Sequence, residues 1–184
     1  GTLTIVAVDG YRLALRRESL HEADGTSLSF VVPGTALSEV EKIVTDSEDP
    51  VSIMLGSKHI MFVINGTVLI SRRLEGEFLN YKNSIPQTEK YVIEADRRAF
   101  LEAVERVSLI INDKLKSPVR CTFADGAIKI LSQTALGRAS DECPVKGDGE
   151  NLEIGFNNRY LLEALRAAPA DSIRINITSG ISPC

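Results

Sequence analysis

One order of elements recurs along this sequence and restricts its fold more than any single motif. A β-rich segment, a polar cap, an amphipathic helix, a short polar linker and another β-rich segment follow one another. The order runs from Phe30-Val31-Val32 to Pro50-Val51, from Tyr91-Val92-Ile93 to Pro118-Val119, and from Leu152-Glu153-Ile154 to Ser172-Ile173, with Pro50 and Pro118 at matching points. Repetition on this scale points to stacked, pseudo-symmetric modules rather than one irregular catalytic domain. Elements of α+β domains also alternate by chance, so the pattern directs the reading without closing it.

Apolar spacing predicts three helices. Leu37, Val40, Ile43 and Val44 make a stripe over 35–45, after Pro33-Gly34. Phe100, Leu101, Val104, Val107 and Ile111 make another over 97–111, and Leu161, Leu162, Leu165 and Ala168 a third over 158–168. The last two follow Asp96 and Asn157, whose short polar side chains suit an N-cap. Period-two, β-branched stretches predict strands over 3–8, 11–16, 27–32, 51–55, 59–64, 67–72, 119–123, 127–131, 136–143, 152–155 and 172–177. Asp9-Gly10, Asn65-Gly66 and Asp125-Gly126 accept the positive φ of tight hairpin turns. The class is α+β with antiparallel sheets. The segment 81–90 is polar, aperiodic and contains Pro86, so it reads as a linker, dividing the chain into domains 1–83 and 84–184.

The bulk properties narrow the function. No run approaches the ~18 apolar residues of a membrane span and the N-terminus has no basic segment, so cytoplasmic residence is expected. Cys121, Cys143 and Cys184 are odd in number and too far apart for Cys-x-x-Cys pairs, and neither His21, which precedes Glu22, nor His59 has a cysteine beside it. A net charge of −4 argues against a domain that grips nucleic acid statically, because such domains hold phosphates with many Lys and Arg. Carboxylates such as Asp9, Asp125 and Asp141 are the best raw material for an enzyme, but Asp9 and Asp125 are accounted for as turn residues. The sequence offers no Gly-rich phosphate loop, metal cluster or activated nucleophile. No catalytic residue, metal or cofactor is expected.

Three segments carry a resemblance. Thr4-Ile5-Val6-Ala7-Val8-Asp9-Gly10-Tyr11-Arg12-Leu13-Ala14 resembles the Ala-Thr-Asp-Gly-(His/Tyr)-Arg-Leu-Ala segment in the middle domain of bacterial DNA polymerase III beta subunits, the replicative sliding clamps. Glu75-Gly76-Glu77-Phe78-Leu79-Asn80-Tyr81-Lys82-Asn83-Ser84-Ile85-Pro86 is similar to that family's junction between its middle and last domains. Glu153-Ile154-Gly155-Phe156-Asn157, with Tyr160-Leu161, looks like the start of its last helix. The three occur in the family's order and separation. Measured against that family, the chain is expected to lack the first domain, enter the middle domain part-way and stop before the closing strands of the last.

The resemblance implies a DNA-clamp fold of repeated βαβββ-like units, with helices lining a hole and sheets outside. It also implies a homodimeric ring that acts as a non-catalytic processivity factor, encircling duplex DNA weakly and without sequence preference. Polymerase, clamp loader and repair proteins would dock through short linear motifs on Val8, Gly10, Tyr11, Arg12, Leu13, Leu79 and Ser84. Family members often carry proline, arginine and an aliphatic residue where this chain has Leu79, Asn83 and Ser84. The polar poles opposite the helical stripes hold Lys42, Arg98, Arg159 and Arg166, diluted by Glu102, Glu105 and Glu163. On those residues alone an ordinary solvated face fits as well; the resemblance makes them DNA-facing. Leu109 and Ile110 fall outside the main stripe of the second helix, and the resemblance implies that they meet the other subunit. A helix that ends early, with both side chains folded into the core, accounts for that pattern equally well. The competing reading is a peptide-binding module unrelated to DNA, which would lack the repeat and the basic poles.

Overall fold

The computed structural model describes residues 1–20, 25, 27–47, 49–111 and 117–184. They form two compact units, Gly1–Asn80 and Tyr81–Cys184. The expected boundary at 83/84 falls within the short 3-10 helix Tyr81–Ser84.

In the first unit, β1 (Thr2–Val8) and β2 (Leu13–Ser19) pair antiparallel, with Val8 opposite Leu13. The strand expected from position 11 begins two residues later. The Asp9 carboxylate accepts the backbone N–H groups of Tyr11 at 3.1 Å and Arg12 at 2.9 Å, which holds both residues in the turn. Gly10 supplies the turn's positive φ, +87°. Helix α1 (Gly34–Ile43) and strands β3 (Ser52–Leu55), β4 (His59–Ile64) and β5 (Thr67–Arg72) build the rest. Alternation along β4 sends Ile60, Phe62 and Ile64 to one face, where Leu37, Val40 and Ile43 of α1 cover them. Asn65 and Gly66 both take positive φ, so the β4–β5 turn matches the twist of its strands. The strand expected over 27–32 does not form; Val31 makes a single bridge to Leu74. Phe30 and Val32 instead pack against the Ile60, Phe62 and Ile64 cluster from irregular chain, since β-branched and aromatic side chains favour a half-buried surface rather than pairing itself.

The second unit holds β6 (Tyr91–Asp96), α2 (Arg97–Ser108), β7 (Val119–Ala124), β8 (Ala127–Thr134), β9 (Gly137–Lys146), β10 (Leu152–Phe156), α3 (Asn158–Ala167) and β11 (Ser172–Ile177). The strands form one antiparallel sheet in the order β10-β7-β8-β9-β6-β11. Each helix lies between two strands in sequence, and the pairing across the two helical segments is reciprocal. The strand before α2 pairs with the strand after α3, Asp96 opposite Ser172; the strand before α3 pairs with the strand after α2, Phe156 opposite Val119. Two half-units exchange strands in this way, which is the repeat seen in the sequence expressed as hydrogen bonds.

Both helices start as their caps dictate. Asp96 accepts the Ala99 N–H at 2.7 Å, and Asn157 accepts those of Arg159 at 3.0 Å and Tyr160 at 3.4 Å. Phe100, Ala103, Val104 and Val107 of α2 and Leu165 of α3 enter a single core with Ile93, Val119, Cys121, Phe123, Ile128, Ile130, Cys143, Ile154 and Ile177. At roughly 1.5–3 kcal/mol for each large buried side chain, this one core dominates the unit's stability. The helix expected over 97–111 stops at Ser108. Three-residue bonds from Leu109 to Arg106 and from Ile111 to Ser108 tighten the chain out of the helix and carry Ile111 back to the core. The linker expected to follow runs through 112–116, outside the described residues.

Candidate partner and DNA surfaces

Five of the seven candidate docking residues are gathered by one turn. Val8 and Leu13 end the strands of the β1–β2 hairpin and are half-buried, whereas Tyr11 is 84% exposed. Arg12 lies back on Asp9, giving hydrogen bonds from Nε at 2.9 Å and Nη2 at 2.7 Å to the same carboxylate oxygen. That guanidinium, followed by the Tyr11 N–H, holds the Asp9 carboxyl below the usual carboxylate range. The planar fork is thereby oriented at the turn rather than free to sweep solvent. Leu79, half exposed, follows β5 in irregular chain, and Ser84, also exposed, closes the 3-10 helix of the second unit.

All four candidate DNA-facing cations are exposed, and each stands beside an acid. Lys42 Nζ lies 2.6 Å from Glu39, Arg98 Nε 2.8 Å from Glu102, Arg166 Nη2 2.7 Å from Glu105 and Arg159 Nε 3.9 Å from Glu163. The Arg166–Glu105 pair joins α3 to α2 and was invisible to reading along one helix at a time. Exposed pairs of this kind contribute little to stability. Their larger effect is on the field: a phosphate approaching these helices meets cations already shared with carboxylates.

Leu109 is 84% exposed and Ile110 half-buried, so the early end of α2 leaves the first in solvent and draws the second partly back. Sequence patterning gave no sign of an open strand edge on the same unit. Strand β9 pairs with β8 throughout 137–144, but β6 meets it only at Val145 and Lys146. Among the described residues, the stretch 137–143 therefore has a strand on one side only. Arg106 of α2 binds Asp141 in the middle of this stretch, and that hydrogen bond is the main reason the Asp141 carboxyl lies below its ordinary range. Leu136, at the tip of the β8–β9 hairpin, is 74% exposed. An open strand edge with exposed aliphatic side chains on the same unit can receive another strand.

Among the described residues no group of three or more His, Cys, Asp and Glu is arranged to hold a metal; His21 lies outside them. Cys121 and Cys143 are buried in the core and Cys184 is exposed, all three unbridged. Burial pushes the Cys121 thiol up to about 12, far from a reactive thiolate. No described helix is long and apolar enough to cross a membrane.

These features define a protein of helix-over-sheet units, the second built from two halves that exchange strands, with exposed candidate surfaces at a hairpin turn and a sheet edge. The chain belongs to the DNA polymerase III beta subunit family: residues 1–80 match the family model of its central domain and 82–184 that of its C-terminal domain. The beta sliding clamp of Halalkalibacterium halodurans is 31% identical over 189 residues, an alignment that takes in all of this chain and 50% of that protein. The crystal structure of the Bacillus subtilis DNA polymerase sliding clamp superposes with a TM-score of 0.92 at 29% identity, covering 98% of this chain and 48% of that one. A Pseudomonas aeruginosa sliding clamp bound to griselimycin superposes with a TM-score of 0.91 at 29% identity, covering 99% and 49%. The chain spans about half the length of the curated relatives it matches.

Proposed function

We propose that this chain is part of a sliding clamp: a processivity factor that encircles duplex DNA as a homodimeric ring and tethers the replicative polymerase, the clamp loader and repair proteins by short peptide motifs. Family membership across both units supports the reading, and the observation that carries it further is the pairing of Lys42, Arg98, Arg159 and Arg166 with acids. A ring holds DNA by topology, so its lining needs a mild field; unshared cations would release counterions, bind phosphates and oppose sliding. Peptide docking falls to Val8, Gly10, Tyr11, Arg12, Leu13, Leu79 and Ser84. The griselimycin-bound relative is in keeping with a ligand pocket on this family. Ring closure falls to Leu109 and Ile110 together with the open edge of β9 on the same unit, where a strand of the other subunit would continue the sheet.

The test uses the full-length polypeptide that contains this chain. Loaded on nicked circular duplex, it should co-elute with the circle in gel filtration at physiological salt and be lost when a restriction enzyme linearises the DNA. Leu109→Lys should abolish retention and leave a folded monomer. Retention on linear DNA that survives salt would mean that the protein grips DNA directly. A docked motif peptide without any circle-dependent retention would favour the peptide module unrelated to DNA.

A further inference from the structure

Strands β3, β4 and β5 present a second apolar face, opposite the one α1 covers. Their register aligns Met54 with Met61 and Ile70, and Ser52 with Val63 and Val68. Alternation turns these side chains away from Ile60, Phe62 and Ile64. Met54 is 50% exposed, Val68 54% and Ile70 64%, while Met61 and Val63 on the central strand are half-buried. The chain has two methionines, and both lie here. The next pair in register, His59 and Arg72, closes one end of the strip with exposed basic groups. Arg72 is loosely approached by Glu75 at 4.0 Å, both side chains being largely in water.

Scattered exposed aliphatic residues are ordinary, but three exposed and two half-buried ones, contiguous on a single sheet face, mark an interaction surface. We propose that this face docks an amphipathic helix of a partner protein, its apolar stripe lying over Met54, Met61, Val63, Val68 and Ile70 and its acidic end against His59 and Arg72. Three observations select that occupant. The same three strands already carry a helix on their other face, so a second would complete a layered arrangement of the usual kind. Strands of four, six and six residues offer about 250 Å², far below the ~800 Å² per partner of a stable association between two folded proteins. A helix of about 14 residues, about 20 Å long, matches that span. Finally, the flexible, polarisable methionines suit an adaptable helix-binding face, and the basic end requires a complementary acidic one. Docking at this face does not depend on the sliding-clamp reading.

Labelling the methionine ε-methyl groups with ¹³C places both probes on this face. The ligand to add is a synthetic helical peptide with leucines at helical spacing and a glutamate-rich end; its control carries lysines at that end. The expected result is saturable movement of both methyl resonances by the acidic peptide, several-fold weaker binding to Arg72→Glu and loss of binding to Ile70→Lys. Val68→Thr, which keeps a strand-forming side chain, should weaken binding with an unchanged circular dichroism spectrum and so separates docking from folding. Methyl resonances unmoved at millimolar peptide, or moved equally by the lysine control, would overturn the proposal. So would concentration-dependent shifts without peptide, which would mean that a second copy covers the face. Protection of the same methyls from a paramagnetic solvent probe in the full-length polypeptide would assign the cover to its own chain and overturn the proposal equally.

Discussion

Arg97, the first residue of α2, donates its Nε hydrogen to the carbonyl oxygen of Ala170, 2.8 Å away, just before β11 begins. Its Nη1 reaches the carbonyl of Leu165 at 3.5 Å and its backbone N–H that of Asp171 at 2.7 Å. A guanidinium, only 23% exposed, therefore sits where the last turn of α3 leaves carbonyls without intrahelical partners. Arg97→Ala should lower the stability of the second unit by about 2 kcal/mol, the usual loss for hydrogen bonds from a charged donor. Arg97→Lys should recover part of this, because a single ammonium nitrogen lacks the fork whose Nε and Nη1 reach two separate carbonyls. Urea unfolding followed through amides of α3 and β11 would measure both, and an unchanged midpoint would remove the role assigned to Arg97.

Acid should act on the Arg106–Asp141 pair. Asp141 has its carboxyl pKa lowered from 3.8 by the Arg106 hydrogen bond, with the Glu142 N–H adding to the effect. A depressed carboxylate stabilises the fold fully above its unfolded value near 3.8, and that contribution disappears as pH falls through the lower folded value. Asp141→Asn should therefore cost up to about 1 kcal/mol at neutral pH and flatten the acid limb of the stability curve. Thermal melts of both proteins between neutrality and strong acid would reveal the difference; parallel curves would contradict it.

Local signals in the sequence specified much of this architecture. The bounds of β4, β5 and β11 follow from period-two patterning, and Asn65-Gly66 and Asp125-Gly126 turn as their φ preferences require. The starts of α2 and α3 follow from Asp96 and Asn157. What stayed hidden depends on distant partners. Ile111 leaves the helix because the core claims it, Tyr11 and Arg12 leave their strand because Asp9 takes their N–H groups, and Arg166 meets an acid on another helix. The open edge of β9 is likewise set by how far β6 runs alongside it. For the candidate surfaces, the makeup of the hairpin turn and of the helix poles was legible and their electrostatic pairing largely was not.

If the paired acids moderate the DNA field, removing one should strengthen binding more than removing its cation weakens it. Glu105→Gln releases Arg166 and should raise the affinity of this chain for short duplex DNA. It should also steepen the dependence of log K on log salt by up to about one unit. Arg166→Gln should change little. Fluorescence anisotropy at two salt concentrations decides the matter, and equal, opposite effects of the two substitutions would show that the pair does not act as a unit.

The thiols should differ sharply in chemistry. At neutral pH iodoacetamide should modify Cys184 first: desolvation raises its thiol too, but its side chain is exposed, whereas Cys121 and Cys143 are buried and Cys121 is pushed up to about 12. Peptide mass spectrometry before and after addition of urea would show the core thiols reacting only on unfolding. Early labelling of Cys121 would mean that the sheet opens between β7 and its neighbours.

The reciprocal strands impose a schedule on synthesis. Tyr91, Val92 and Ile93 emerge from the ribosome early in the second unit, yet the residues that face them in the sheet, Ile177, Asn176 and Ile175, emerge only after both helices and all the strands between. Neither half-unit can complete its hydrogen bonding alone, so the nascent chain must carry an unfinished edge across nearly the whole unit. Closure of such a long loop is the slow, entropically costly step. Until it occurs, β6 is open to any other chain that offers a strand, including a second nascent copy whose β11 would fit it equally well.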